Sequence, residues 1–211
     1  LAPALPHVIP AAHKGDMGGC SIYGFRPDGS RFLLMNIFGG GWGGRPFEDG
    51  EPASVTVCQG DVRNASIEEL EMKSPVLIHT RGLRRDSGGP GRFRGGLGST
   101  MRIQNLAEGR WNMERPRRQH CLPWGLGGGL PGEAGVKYLK TPKDTKFTDV
   151  DLSRHLVPEK SEVLINAGSG GGWGDPLERP LELVKQDLKN GYITLEQANR
   201  YYGLDKRSTS G

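Results

Sequence analysis

Ten arginines and no lysine fall between residues 81 and 120, against only Asp86, Glu108 and Glu114 on the acidic side. That stretch carries a formal +7, whereas the whole chain sums to +4, so the remainder is net negative. Arginine without lysine points to planar, bidentate contacts with carboxylates or phosphates, which a fork-shaped guanidinium makes and an ammonium does not. Three uses compete. A nucleic-acid groove fits the basic balance, but no aromatic interleaving, helix-turn-helix or zinc-finger spacing accompanies the charge, so nucleic acid is set aside. A phosphate or carboxylate site for a small substrate is the second. The favoured use is arginine on exposed strand faces and in salt bridges to other chains.

The other reactive residue types give weaker patterns. Ser87, between Asp86 and Gly88, lacks the G-x-S-x-G elbow and any readable base, so a turn serine bonding backbone amides is favoured over a nucleophile. His13-Lys14-Gly15-Asp16 sets an imidazole and a carboxylate three apart, and a loop salt bridge is favoured over a metal site. His7, His79, His120 and His155 share no short spacing with them, and no metal is assigned to this chain. Adjacent residues such as His120 and Cys121 seldom point at one another. Cys20, Cys58 and Cys121 lie too far apart for a CxxC site and do not suggest a disulfide framework. The sequence G-G-G-W-G occurs at Gly39–Gly43 and again at Gly170–Gly174. Neither copy fits a P-loop, because no Gly-Lys-Ser/Thr follows, nor a helix-opening G-x-G-x-x-G, since Asp175-Pro176 interrupts; tight packing of strand ends is favoured over phosphate binding. Glycines of this density mark places where another backbone or a ligand approaches closely.

The elements that would position these residues follow from periodicity. The first 19 residues read as an extended lead-in. Arg31–Phe38 is a compact apolar run, read as a buried strand entering the first glycine loop. Val55 and Val57 mark a second short strand. Ser66-Ile67-Glu68-Glu69 is a capping box that opens a short helix, stopped by Pro75. Pro75–Leu83 is a strand, followed by a loop through Gly91, and Ser99–Leu106 alternates as a half-exposed strand. Glycine turns follow at Gly125–Gly129 and Gly132–Gly135, and Glu162–Ala167 is a late strand. Beyond Pro180, Leu181, Leu183, Val184 and Leu188 fall at helical spacing and Gly191 stops that helix. Thr194-Leu195-Glu196-Gln197 caps another helix, which closes at Gly203. The pattern predicts an α+β class: a strand-rich, Gly-rich body over 1–178 with a C-terminal helical hairpin and tail over 179–211.

Composition bounds the rest. The 211 residues include 34 Gly and 15 Pro and are only 35% hydrophobic. Gly plus Pro near 23%, without a period of three, excludes collagen. No apolar run approaches the ~20 residues of a membrane span, so a cytoplasmic protein with no membrane partner is expected. With so many core positions given to glycine, part of the apolar surface is expected to be buried by a partner.

Leu83-Arg84-Arg85-Asp86-Ser87-Gly88-Gly89-Pro90-Gly91-Arg92-Phe93-Arg94-Gly95-Gly96-Leu97-Gly98 resembles the signature of the hydantoinase B/oxoprolinase family. Three further stretches are similar to that family in order and spacing: the acidic helix and proline at 66–75, Gly174-Asp175-Pro176-Leu177-Glu178-Arg179-Pro180, and Tyr202-Gly203-Leu204. The first G-G-G-W-G followed by Asp49-Gly50 looks like the family's mid-chain element. The family's N-terminal half, with its Asn-Asp-Pro and His-His-x-Asp-x-Gly-Gly segments, has no counterpart, and the echo at His13–Gly19 is treated as chance.

The resemblance implies a small, split B-type subunit of an ATP-dependent hetero-oligomer. Its partners would be a hydantoinase A-type ATPase, which phosphorylates a carbonyl or amide oxygen or bicarbonate, and the N-terminal B-type chain. ATP and magnesium, and any zinc or manganese, would sit on those partner subunits, with none bound here. The first expectation is a carboxylase acting on a ketone such as acetone or acetophenone with bicarbonate. A cyclic amidase for hydantoin, 5-oxoproline or lactam is the alternative, and a non-catalytic structural subunit the alternative of another class. Arg84, Arg85, Asp86, Ser87, Arg92 and Arg94 become candidates for binding an anionic intermediate or for holding an interface. Gly39, Gly40, Gly41, Trp42, Gly171, Gly172 and Trp173 become candidates for lining a passage between sites. No catalytic residue is assigned.

Overall fold

Alternation in the run Arg31–Ile37 buries Phe32, Leu34 and Asn36 and leaves Arg31, Leu33 and Met35 outside, as a two-residue pleat requires. In the computed structural model, which describes residues 4–5, 7–15, 18–55, 63–113 and 121–208, this strand belongs to an antiparallel sheet. Its members are β1 (Gly19–Phe25), β2 (Arg31–Ile37), β5 (Gly109–Met113) and β8 (His155–Val157), in the order β2-β1-β5-β8. A second antiparallel sheet joins β3 (Val76–Leu83), β4 (Ser99–Asn105), β9 (Glu162–Asn166), β6 (Val136–Lys140) and β7 (Thr148–Asp149), in the order β3-β4-β9-β6-β7.

The inner faces of the two sheets share one apolar cluster, with Ile22, Phe32 and Trp111 from the first and Met101, Ile103 and Val163 from the second. Two polar side chains buried within it pair with each other and with backbone. Trp111 Nε1 donates to Asn105 Oδ1 at 3.2 Å, and Asn105 Nδ2 donates to Val157 O at 3.2 Å. Helix α1 (Ile67–Lys73) starts where the capping box predicts, with Glu69 N–H donating to Ser66 Oγ at 3.2 Å. It packs beside β2 and β3 and adds Leu70 to the cluster. Val57 lies outside the described residues, and Val55 belongs to no strand; the pairing beside Val55 is the isolated bridge of Ser54 to Gly40.

The glycine stretches do not form sheet. Segment 168–174 bonds to four other segments. Gly41 N–H donates to Gly168 O (3.0 Å) and Gly44 N–H to Gly171 O (2.8 Å). Gly89 N–H donates to Gly170 O (2.8 Å), while Gly170 N–H donates to Gly96 O (3.0 Å). On its remaining sides Gly172 N–H donates to Leu130 O and Gly171 N–H to Ala12 O, both at 2.9 Å. A strand has two hydrogen-bonding edges and spends its other two directions on side chains. Here five of the seven residues are glycine, so backbone bonds radiate in more than two directions. Five stretches of chain from positions 11 to 174 are thereby tied into one bundle.

The tail is helical: α2 (Leu181–Lys189), α3 (Leu195–Tyr202) and a further turn and a half, α4 (Leu204–Ser208), which the sequence pattern does not signal. Thr194 Oγ1 accepts from Gln197 N–H at 3.3 Å, and Gly203 ends α3 in a left-handed conformation with φ 62°, as a helix C-cap commonly does. Val184, Ile193, Ala198, Tyr202 and Leu204 form a small core of their own. The class is α+β. Among the described residues, no helix is long and apolar enough to cross a membrane.

Candidate functional site

The loop that leaves β3 carries the six residues singled out by type, and it runs between the glycine bundle and the C-terminal helices. Arg84 turns inward: Nη1 donates to Ala134 O at 2.6 Å, and Nη2 lies 3.7 Å from Glu133. Burial lowers its affinity for the proton, and the Glu133 carboxylate opposes that effect. Arg85 Nε donates to Gly191 O at 3.0 Å. Asp86, at φ 62°, accepts from Thr194 N–H at 2.7 Å through Oδ1, while its own N–H donates to Tyr192 O at 2.9 Å. Arg85 and Asp86 therefore clasp the turn between α2 and α3.

Ser87 is buried, donating to Arg84 O at 2.6 Å and accepting from Gly98 N–H at 3.1 Å. Both hydroxyl functions are spent on backbone, which is the turn-serine arrangement. Ser87→Ala is expected to lower stability by about 1–2 kcal/mol through the orphaned Gly98 amide, with turnover per assembled complex unchanged. Loss of turnover in a complex that assembles normally would restore the nucleophile reading.

Arg94 belongs to a buried ionic group that sequence spacing does not assemble. Arg179 places Nη1 and Nη2 each 2.7 Å from the two carboxylate oxygens of Asp49, and Nη2 also lies 2.8 Å from Asp187 Oδ2. Arg94 Nε donates to Asp187 Oδ2 at 3.3 Å, and Arg94 N–H donates to Asp49 Oδ1 at 2.8 Å. The Arg94 guanidinium stands 5.4 Å from the centre of the Tyr192 ring. Arg179 is 1% exposed, Arg94 4% and Asp187 5%. Two cations and two anions thus alternate where the mid-chain loop, the arginine loop and α2 meet. Arg179 is visible in Gly-Asp-Pro-Leu-Glu-Arg and Asp49 in the mid-chain element, but nothing in their spacing says that they touch.

Protonation in this group follows from the pairing. Burial of Asp49 penalises its charge, but the Arg179 hydrogen bonds and the Arg179 and Arg94 charges outweigh burial and hold its carboxyl below the ordinary 3.8. For Arg179, burial also works against the charge, and Asp49 and Asp187 more than offset it, so its pKa rises. Tyr202, behind them, is pushed up to about 12 by burial, against the pull of Arg179 and Arg94. A carboxyl whose pKa is depressed in the folded state contributes stability that is present above its unfolded value. That stability is lost as pH falls through the folded value. Acid titration is therefore expected to loosen α2 and α3 below about pH 4, read by amide exchange at Val184 and Ala198. Asp49→Asn should remove this pH dependence, and an unchanged acid profile in that variant would contradict the assignment.

Arg92 stays half-exposed, 3.7 Å from Glu178 and 5.6 Å from the Phe93 ring centre, and Arg85 is exposed as well, its guanidinium lying on the Gly191 carbonyl at the surface. The glycines singled out as passage lining, Gly39, Gly40, Gly41, Gly171 and Gly172, are buried in the backbone bundle, and Trp42 and Trp173 lie at its margin. A Cβ on Gly41 would land on the Gly96 carbonyl, and one on Gly172 on that of Pro90. In this chain these positions meet backbone rather than an open channel. His13 Nδ1 accepts from Gly43 N–H at 2.7 Å, its ring 5.3 Å from that of Trp42; Asp16 and His120 lie outside the described residues. Among the described residues no three His, Cys, Asp or Glu side chains are grouped to hold a metal. A cavity of about 430 Å³ opens at the end of the first sheet, lined by Ser21, Met35, Asn36, Asn64 and Asn112 among others.

Comparison with known proteins places this architecture. The chain is 30% identical over 208 residues to the B-type subunit of a putative D-/L-hydantoinase from Pseudomonas sp. (strain NS671), covering 97% of this chain and 35% of that one. It is 32% identical to the beta chain of the caprolactamase from Pseudomonas jessenii over 97% of this chain and 36% of the relative. The crystal structure of that ATP-dependent caprolactamase superposes with a TM-score of 0.80 over 96% of this chain and 36% of its own. A nucleotide-free acetone carboxylase shares the fold, with a TM-score of 0.72 over 90% of this chain and 30% of its own, at 19% identity. The chain spans about a third of the length of these relatives. Residues 1–176 match the Hydantoinase B/oxoprolinase family, and the chain belongs to that family.

Proposed function

We propose that this chain serves as a glycine-rich part of a B-type subunit in an ATP-dependent complex that opens cyclic amides, such as lactams or hydantoins. One observation carries the choice of chemistry: a hydantoinase chain and a caprolactamase chain match nearly the whole sequence at 30% identity or more. In this reading an A-type ATPase partner transfers a phosphoryl group from ATP to the amide oxygen. Water then adds at the activated carbon, the ring C–N bond breaks with the nitrogen taking a proton, and the resulting acyl phosphate is hydrolysed by a second water to carboxylate and free phosphate. ATP and magnesium, and any zinc or manganese, belong to the partner subunits.

The contribution of this chain is architectural. Arg84, Arg85 and Arg94 are committed to contacts within the chain, which supports a structural part in the complex over direct binding of substrate. Arg92 keeps half its side chain in water, able to meet an anionic intermediate or a neighbouring polypeptide, with Glu178 as its present partner. The backbone-packed bundle gives the complex a rigid support rather than a passage.

The test co-produces this chain with an A-type ATPase and the remaining B-type polypeptide. ATP-dependent opening of caprolactam, hydantoin and 5-oxoproline is then measured beside fixation of labelled bicarbonate on acetone and acetophenone. Ring opening that needs this chain supports the proposal. Bicarbonate fixation without ring opening replaces it with the ketone carboxylase. Full activity without the chain removes it from the enzyme altogether.

A further inference from the structure

The outer face of the first sheet is apolar where a solvated face should be polar. The pairing register puts Leu33, Tyr23, Arg110 and Leu156 in one line across β2, β1, β5 and β8. Phe25 stands beside Tyr23 on the same face, and Met35 beside Leu33, two residues along their strands. Exposures are 59% for Leu33, 74% for Met35 and 62% for Phe25. An antiparallel sheet with one face on a core normally presents alternating polar residues on the other. Five large apolar side chains gathered on one face mark an interaction surface.

The patch is continuous with a cavity. Ser21, Met35 and Asn112 belong both to this face and to the lining of the cavity of about 430 Å³. A surface leading into a pocket offers an anchor site for a partner side chain, as protein interfaces use. Arg31, 6.0 Å from the Phe25 ring centre, and Arg110, between Tyr23 and Leu156, give the patch positive charge.

We infer that this face is the seat of the remaining portion of the B-type polypeptide, which covers it with an apolar surface carrying carboxylates opposite Arg110 and Arg31. The inference rests on the proposed place of this chain in a B-type subunit. What selects this occupant is length: the relatives hold nearly two-thirds of their polypeptide beyond the part this chain matches. That portion needs a surface to pack on. The opposite face of the sheet is taken by the shared core, and the open apolar face is left for it.

Oxidative footprinting of the wild-type complex tests this without any substitution. Met35 and Met72 are 74% and 84% exposed, so both should oxidise readily in the isolated chain. On assembly with the remaining B-type polypeptide, Met35 is expected to slow at least about tenfold relative to the isolated chain. Leu33→Asp and Met35→Asp should weaken assembly by a similar factor, while Leu195→Asp, on an exposed position of α3, should not. Met35 as reactive in the complex as alone, or both β2 variants assembling normally, overturns the inference while leaving the family role intact. A dimer of this chain broken by Leu33→Asp overturns it in favour of a second copy. If the wild-type chain shows neither assembly nor ATP-dependent turnover with its partners, the proposed function itself has failed.

Discussion

Replacing Arg179 with methionine is expected to cost about 3–5 kcal/mol and to free the C-terminal helices from the body. The side chain is 1% exposed and contacts Asp49 and Asp187 at 2.7–2.8 Å. Removing it leaves the buried Asp187 and the partly exposed Asp49 with only Arg94 to share, at 3.9 Å from Asp49 and 3.3 Å from Asp187. The cost is mainly that of stranded charge, so the double change Arg179→Met with Asp187→Leu should recover a measurable part of it. Arg179→Lys keeps the charge but loses the two-pronged fit to Asp49, and should fall between wild type and methionine. Urea unfolding gives the magnitude, and limited proteolysis within 181–208 shows whether the helices come away first. A loss under about 1 kcal/mol would mean that the helices are held by their apolar contacts and not by this group.

The second large effect is expected at Gly41. A Cβ there would fall on the Gly96 carbonyl and 2.5 Å from Gly170 N, both backbone atoms of the bundle. Overpacking a side-chain core costs about 1–3 kcal/mol because neighbours can change rotamer. Backbone atoms that are themselves hydrogen-bonded have no such escape, so Gly41→Ala should exceed that range and prevent folding. Gly82→Ala is the matched control. Gly82 sits in β3 with nothing within 4 Å of its notional Cβ, and alanine there should be neutral or stabilising by about 0.5 kcal/mol. Circular dichroism and soluble yield of the two variants separate the cases. Comparable behaviour would show that the bundle can expand.

The elements legible in the sequence are those with undiluted periodicity or a cap. Arg31–Ile37, Val76–Leu83, Ser99–Asn105, Glu162–Asn166 and the helices at Ser66, Pro180 and Thr194 fall within a residue or two of the pattern. What escapes has a physical reason. The strand Gly19–Phe25 hides its alternation behind Gly19, Ser21 and Gly24, and the sequence pattern assigns no element there. Gly109–Met113, Val136–Lys140 and His155–Val157 are short and lack a continuous apolar triplet such as Val163-Leu164-Ile165, so neither period nor run registers. The ionic group escapes because its members stand up to 138 residues apart, between Asp49 and Asp187. Contacts of that separation leave no local trace. The arginine loop stands out by composition, yet only the structure distinguishes Arg94, buried between Asp49 and Asp187, from Arg92, which keeps half its surface in water.

The bundle's centre, segment 168–174, has consequences for the order of folding. The stretches around it, at 11–14, 39–44, 88–97 and 124–133, hydrogen-bond to it through backbone groups, and glycine supplies no side chains with which they could cluster beforehand. A chain emerging from the ribosome could already join some of these stretches to one another, as Ala11 does to Gly44 and Gly96 to Trp42, but the groups that pair with 168–174 would stay solvated until residue 174 had been made. Only then could loops of some 40 to 160 residues close around it. Contacts so distant in sequence make for slow folding, and the two sheets, whose strands flank these stretches, must hold the growing chain in place while the last segment threads home.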